Sequence, residues 1–266
     1  MSLPEPTPDS IALVTGASSG IGEEFARQLV EMGHRVALVA RREDLLLKLA
    51  DELGGGDRAV AIATDLAVPE QRDQLAARLD QLGARVEIVV NNAGYGIYQP
   101  FAEAGRDAEL KQVHVLVEAT VDLMARYLPE MKQRGRGAII NMSSTAGFQP
   151  LPYNAGYSAA KAYVLYLSEA VHEEAKEHGV TVTVATPGPV PTGFQEASDA
   201  HFFMERAPNF TFVPAERVAR EALNAAAKGQ ISVIPGGPQV RAVFIPNRRL
   251  PRWLVLPISK RLMTRR

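Results

Sequence analysis

The stretch YSAAKAYVLY, residues 157–166, places three tyrosines and one lysine within ten positions of what the surrounding pattern predicts to be one helix. A phenol titrates near 10, too high to exchange protons freely at neutral pH, and a neighbouring ammonium lowers that value by stabilising the phenolate. Tyr157 and Lys161 stand four residues apart, which is about 40° of helix rotation, so both side chains leave the same face. A phenol lowered in this way could exchange protons near neutral pH. Tyr163 and Tyr166 are turned from Tyr157 by about 240° and about 180°, and are expected to be core or interface aromatics. Tyr153 precedes the helix, where it either lines a substrate pocket or caps the loop.

A second cluster lies far upstream. TGASSGIG, residues 15–22, leaves an apolar strand pattern and opens a helical one. So tight a turn needs glycine. Gly20 and Gly22 also lack the Cβ that would keep a pyrophosphate from the helix N-terminus, where free N–H groups and the helix dipole favour an anion. The spacing is Gly-x-x-x-Gly-x-Gly rather than Gly-x-Gly-x-x-Gly. In a strand–turn–helix context it points to a dinucleotide, with a purely structural turn as the alternative. About 20 residues further on, where an acid would hold a ribose 2′-hydroxyl, the sequence reads VALVARRED, with Arg41 and Arg42. Guanidinium groups there attract a 2′-phosphate, so the expected cofactor is NADP(H); the bland reading is that two arginines open a solvated helix face.

The elements that must position these residues follow from the hydrophobic pattern. IALVTG (11–16), RVALVA (35–40), AVAIAT (59–64), VEIVVN (86–91), AIINMS (138–143), VTVTVAT (180–186) and ISVIPG (231–236) are continuous apolar runs, which suit strands covered on both faces of a parallel sheet. Between them lie segments with apolar residues three and four apart that end in glycine, as helices do. The predicted fold is α/β: a Rossmann-type, doubly wound, seven-stranded parallel sheet with helices on both faces in a single domain, with ligands beyond the carboxyl ends of the strands. Residues 1–9 read as a disordered lead-in, 10–237 as the dinucleotide-binding domain and 238–266 as a basic, apolar tail.

Bulk properties exclude other chemistries. The 266-residue chain carries 29 basic and 30 acidic residues, a balance that argues against nucleic acid as a partner. Without cysteine there is no disulfide or thiolate, and the five histidines lack metal-ligand spacing, so no metal is expected. No run approaches the roughly 18 apolar residues of a membrane span, and the N-terminus lacks the apolar core of a signal peptide; a cytoplasmic protein is expected.

TGASSGIG (15–22), NNAG (91–94), Ser143-Ser144, YSAAK (157–161) and PGPVPT (187–192) occur in the order and context of the short-chain dehydrogenase/reductase family, which the chain resembles over roughly residues 10–237. The resemblance extends to the branch that reduces acyl-chain and steroid-type ketones. It implies that Tyr157 is the general acid/base, Lys161 its partner, and Ser144, thirteen residues before the tyrosine, the donor to the substrate carbonyl. It places Gly16, Ser18, Ser19, Gly20, Ile21 and Gly22 around the phosphates and Asp65 and Leu66 near adenine. Asn91, Ala93 and Gly94 then border the adenosine side, and Pro187, Gly188, Val190 and Thr192 lie near the nicotinamide, with Tyr157 and Lys161 also touching cofactor. A homodimer or homotetramer is implied as well. For the glycines and Asn91 a wholly structural role is the alternative.

One position departs from the family pattern. The asparagine that holds a water in the family's proton relay should stand where this chain has Leu116, inside QVHVLVEATVDL. Leucine cannot hold that water, so turnover is expected to be reduced. His114 is the nearest substitute, but two residues is about 200° of helix, so it should face elsewhere unless the helix is distorted.

Residues 193–213 form the family's variable lid, and Phe194, Phe202, Phe203, Met204, Phe210 and Phe212 make it apolar. Either it buries a lipophilic ketone, aldehyde or secondary alcohol, or its aromatics pack on the body. After Glu221 the chain has no acidic residue, and its tail mixes Trp253 with arginines and lysines. Such a composition suits an anionic membrane surface, a neighbouring subunit or the mouth of the pocket; Pro246, Pro251 and Pro257 would interrupt a long helix and favour packing. The leading reading is an NADPH-dependent carbonyl reductase or alcohol dehydrogenase. The alternatives are a dinucleotide-binding sensor that lost turnover, suggested by Leu116, and a membrane-associated lipid-binding protein.

Overall fold

The computed structural model describes residues 3–192, 211–248 and 250–264. Seven parallel strands form one sheet: β1 (Ser10–Thr15), β2 (Val36–Ala40), β3 (Ala59–Ala63), β4 (Arg85–Asn91), β5 (Gly137–Met142), β6 (Val180–Ala185) and β7 (Ser232–Val233). Their order is β3-β2-β1-β4-β5-β6-β7. The chain leaves β1 in one direction and returns to its other side as β4, so the order reverses between these two strands and opens a crevice beyond their carboxyl ends. The last strand, expected to run over 231–236, shrinks to two residues at the sheet edge.

The continuous apolar runs are explained by burial on both faces. Ala12, Val14, Val36 and Leu38 face one helix layer, made by α1 (Gly20–Glu31), α2 (Glu43–Glu52) and α7 (Ala215–Ala227). Ile11, Leu13, Ala37 and Val39 face the other, which includes α3 (Pro69–Gln81) and α5 (Ala119–Arg134). Alternate residues of one strand thus enter different cores, and neither can be polar without cost.

Between α4 (Arg106–Val113) and α5 the helix widens to a π-turn over His114–Glu118, a local distortion found mostly as single turns within α-helices. It lies where Leu116 was singled out. α6 (Ala155–Lys176) follows β5, and α8 (Pro238–Phe244) and α9 (Arg252–Met263) form the tail. Pro251 stands directly before α9, but Pro257 sits inside it without ending it, so the expected interruption at that proline does not occur. Leu3–Asp9 also differ from the disordered lead-in expected: Arg85 N–H donates to Asp9 O at 2.7 Å, Arg136 to Glu5 O, and Leu3 packs on the core. The segment's extended carbonyls find donors on the body. No helix among the described residues is long and apolar enough to cross a membrane.

Candidate active site

A single cavity of about 720 Å³ runs along the carboxyl ends of β1, β4, β5 and β6. At its phosphate end Gly16 adopts φ +68°, and a Cβ there would stand 2.9 Å from Ala93 Cα. A Cβ at Gly22 would fall 2.2 Å from Gly16 O, so this glycine serves the packing of the turn on α1 and does not face the cavity. Ser18, Ser19, Gly20 and Ile21 do line it. Ser19 caps α1 with extended backbone and no side-chain capping bond to the helix, which leaves the first N–H groups of the helix to meet an anion. The loop of Pro187, Gly188, Val190 and Thr192 borders the same space, with Thr192 Cγ2 only 2.8 Å from the Cβ that Gly20 lacks.

Arg42 reaches back over this turn, donating to Ser18 Oγ at 3.0 Å and Ser19 Oγ at 2.9 Å. Arg41 lines the cavity beside Asp65 and Leu66. Burial would raise the Asp65 carboxyl, but the Ala67 N–H, the Lys111 ammonium and Arg41 outweigh it and hold the group below its ordinary value. Ala93 and Gly94 also line the cavity, whereas Asn91 does not. Its Nδ2 donates to Asn141 Oδ1 at 2.8 Å between β4 and β5, a buried polar rung. Asn92 takes the lining position instead, tied by Nδ2 to Thr15 O at 3.0 Å.

At the other end, β5 and α6 bring Ser144, Tyr157 and Lys161 into the cavity wall. The short 3-10 turn Thr145–Phe148 holds Ser144 as its cap, with Ala146 N–H donating to Ser144 Oγ at 3.1 Å. A Cβ at Gly147 would stand 2.8 Å from the Lys161 carbonyl carbon, so only glycine lets the turn lie this close to α6. Ser143 lines the same wall, but its hydroxyl is engaged by the backbone, donating to Lys161 O at 2.6 Å.

Tyr157 is pushed up to about 12 by burial, against which its hydrogen bond with Ser144 works. Burial likewise brings Lys161 down to about 8. The direction for Tyr157 is opposite to the lowering expected from an adjacent ammonium. Lys161 Nζ lies 5.6 Å from the Tyr157 ring centre and donates to Met142 O at 2.6 Å, and loss of water dominates for both groups.

Two residues on the substrate side were not singled out from sequence. Tyr98 lines the cavity, and burial raises its phenol further above the ordinary range than that of Tyr157. Asn154 lines it too. It is 1% exposed, and its amide shares a hydrogen bond with the Tyr98 phenol that eases the Tyr98 shift. Aromatic enrichment in GYGIYQP after β4 was a usable signal for Tyr98; Asn154, at the cap of α6, is brought in by tertiary folding alone. Tyr153, its neighbour, adopts φ +65° and stays out of the wall.

His114 sits on the surface, its Nδ1 2.8 Å from Glu118 Oε2, despite the π-turn that carries it. Of the proposed lid, 193–210 lie outside the described residues; Thr211 lines the cavity and Val213 is buried.

The sequence matches the short chain dehydrogenase family over residues 10–201. It is 33% identical over 192 residues to an uncharacterized oxidoreductase of Staphylococcus epidermidis, covering 72% of this chain and 82% of that protein. It is 37% identical over 180 residues to a very-long-chain 3-oxoacyl-CoA reductase of Aspergillus oryzae, covering 65% of this chain and 51% of that one. Among solved structures, a short-chain dehydrogenase from Sphingobium yanoikuyae in complex with NADPH superposes with a TM-score of 0.78 at 29% identity, covering 90% of this chain and 93% of the other. The chain belongs to the short-chain dehydrogenase family.

Proposed function

We propose that this oxidoreductase reduces a lipophilic ketone or aldehyde, or oxidises the corresponding secondary alcohol, with NADP(H), and that Tyr157 is the general acid/base. The observation that carries the reading is the hydrogen bond between Ser144 and Tyr157 in the wall of a cavity whose far end holds the Arg42–Ser18–Ser19 cluster. The residues suit the cofactor. Gly16 and Gly20 keep the turn free of Cβ atoms, α1 offers its N-terminus to a pyrophosphate, and Arg42 offers a fork of donors to a 2′-phosphate. The likeness to an NADPH-bound dehydrogenase supports the same choice. When bound, NADPH supplies the hydride.

The chain's own residues then do three things. Ser144 donates to the carbonyl oxygen, fixing the substrate with a preset dipole. Tyr157, protonated at neutral pH because burial holds it near 12, gives its phenolic proton to the oxygen as charge develops there. Lys161, about 8 and so mostly ammonium at neutral pH, stabilises the phenolate left behind. The apolar part of the wall, with Leu151, Val243 and Phe244, suits a lipophilic substrate, and the Aspergillus relative is named for a long-chain oxoacyl substrate. The exposed Leu110, Val113, Tyr163 and Tyr166 on α4 and α6 offer a face for a homodimer or homotetramer.

NADPH oxidation against a panel of ketones and aldehydes, with Tyr157→Phe as control, tests the reading. Turnover that vanishes in the variant while cofactor binding survives is expected; full activity of Tyr157→Phe would sink it.

A further inference from the structure

We infer that the terminal helix α9 docks the protein on an anionic lipid bilayer with the mouth of the cavity facing the membrane. The helix touches the body along a narrow seam: Val255, Ser259 and Met263, at i, i+4 and i+8, are buried, and the other nine residues of Arg252–Met263 are exposed. Ser259 and Met263 reach into the cavity wall, so the seam is part of the site's rim. Leu262 is shared, lining the cavity while remaining 47% exposed. Arg252 fastens the start of the helix to the catalytic end, donating to Phe148 O in the turn that follows Ser144.

What α9 leaves to solvent is apolar and cationic together. Trp253 is 76% exposed and Ile258 54%, with Leu254 and Leu256 beside them. Of the fifteen large apolar side chains exposed among the described residues, eight lie between Val243 and Leu262, a concentration beyond what scattered surface residues need. Lys260 and Arg261 stand on the same outer surface. An indole with aliphatic neighbours and flanking cations is the composition that settles at the headgroup level of a bilayer, each cation adding attraction to anionic lipid.

Charge selects the bilayer over a second copy of the chain. In a twofold interface the same patch meets itself, and the sequence offers no acid after Glu221 to meet Lys260 and Arg261. An anionic surface complements this patch and a copy of it does not. The consequence for function, which rests on the reading proposed above, is that a lipophilic substrate passes from the bilayer past Leu262 into the cavity without crossing water.

Trp253 is the sole tryptophan of the chain, so its emission reports on this face alone. Titration of the full chain with vesicles of phosphatidylcholine containing about one quarter phosphatidylglycerol should shift the emission to shorter wavelength. High salt should reverse the shift, and pure phosphatidylcholine should give none. Lys260→Glu with Arg261→Glu should weaken binding about tenfold or more, with an unchanged thermal unfolding midpoint showing that the fold is intact. No shift with anionic vesicles, an equal shift with neutral ones, or a lipid-free shift that grows with protein concentration and marks a dimer on this face, overturns the proposal. None of these readings depends on catalytic activity, so failure of the reductase assignment would leave the membrane result readable.

Discussion

Leu116 packs against Tyr157 in a small buried cluster with Ala160. Its Cδ2 lies 2.6 Å from the point where a Cβ on Gly94 would stand, and Lys161 Nζ lies 3.7 Å from that same point. An apolar side chain therefore fills the space next to Lys161, where a polar, water-holding group was expected from the sequence. Replacing Leu116 with Asn should raise steady-state turnover with little change in KM. The added buried amide, partly unpaired, should cost about 1–3 kcal/mol of stability. Unchanged turnover in a folded variant would mean that Lys161 is reprotonated along another path.

Arg42 is held by the two serines of the turn it is expected to serve, so its guanidinium is positioned before cofactor arrives. Loss of a charge-assisted fork should raise KM for NADPH about ten- to a hundredfold in Arg42→Ala. KM for NADH, which lacks the 2′-phosphate, should barely move. Equal losses for both cofactors would assign Arg42 to the loop's stability instead.

The fold was legible because a sheet buried on both faces writes itself as uninterrupted apolar runs, and the seven runs fall in the order of the seven strands. The glycine turn was legible for a similar reason, since Gly16 needs its positive φ and Gly22 its missing Cβ. Asn91 and Asn92 show the limit: adjacent in the motif, they part at the end of β4, one bonded across the sheet to Asn141 and the other bordering the cavity. Spacing cannot say which neighbour faces which way. Nor could helix rotation foresee the π-turn at His114–Glu118 or the sign of the Tyr157 shift, because that depends on how much water the folded cavity removes from both partners.

Lys161 makes a prediction about stability. Its pKa falls from 10.5 to about 8 on folding, so below pH 8 the folded state must hold a buried charge that the unfolded state holds in water. Between about 8 and 10.5 the unfolded chain binds the extra proton, and stability rises with pH. Above about 10 the sign reverses, because Tyr127 and Tyr157, both pushed up to about 12, keep protons that the unfolded chain releases. Urea unfolding should show a gain of about 2 kcal/mol between about pH 7.5 and 9.5. Lys161→Met should lack that gain. The same rise in the variant would trace the effect to another group.

Asn154 should trade stability against substrate binding. It occupies the cap position of α6, yet its side chain makes no capping bond, and its amide is buried against the cavity beside the Tyr98 phenol, with which it shares a hydrogen bond. A Cβ at Gly96 would stand 2.9 Å from Tyr98 Cε2 and 3.5 Å from Asn154 Oδ1, so the phenol and the amide flank one point on the substrate side. Beyond the Tyr98 phenol the amide's donors and acceptor are unmet, and a buried polar group so placed costs about 1–3 kcal/mol. Asn154→Leu should therefore raise the thermal midpoint, since no cap is lost, and raise KM for the best ketone several-fold with kcat less affected. Asn154→Gln should recover part of the affinity. A variant that is less stable and binds substrate as before would show that the amide serves the fold, and the polar anchor for substrate would then have to be sought at Tyr98.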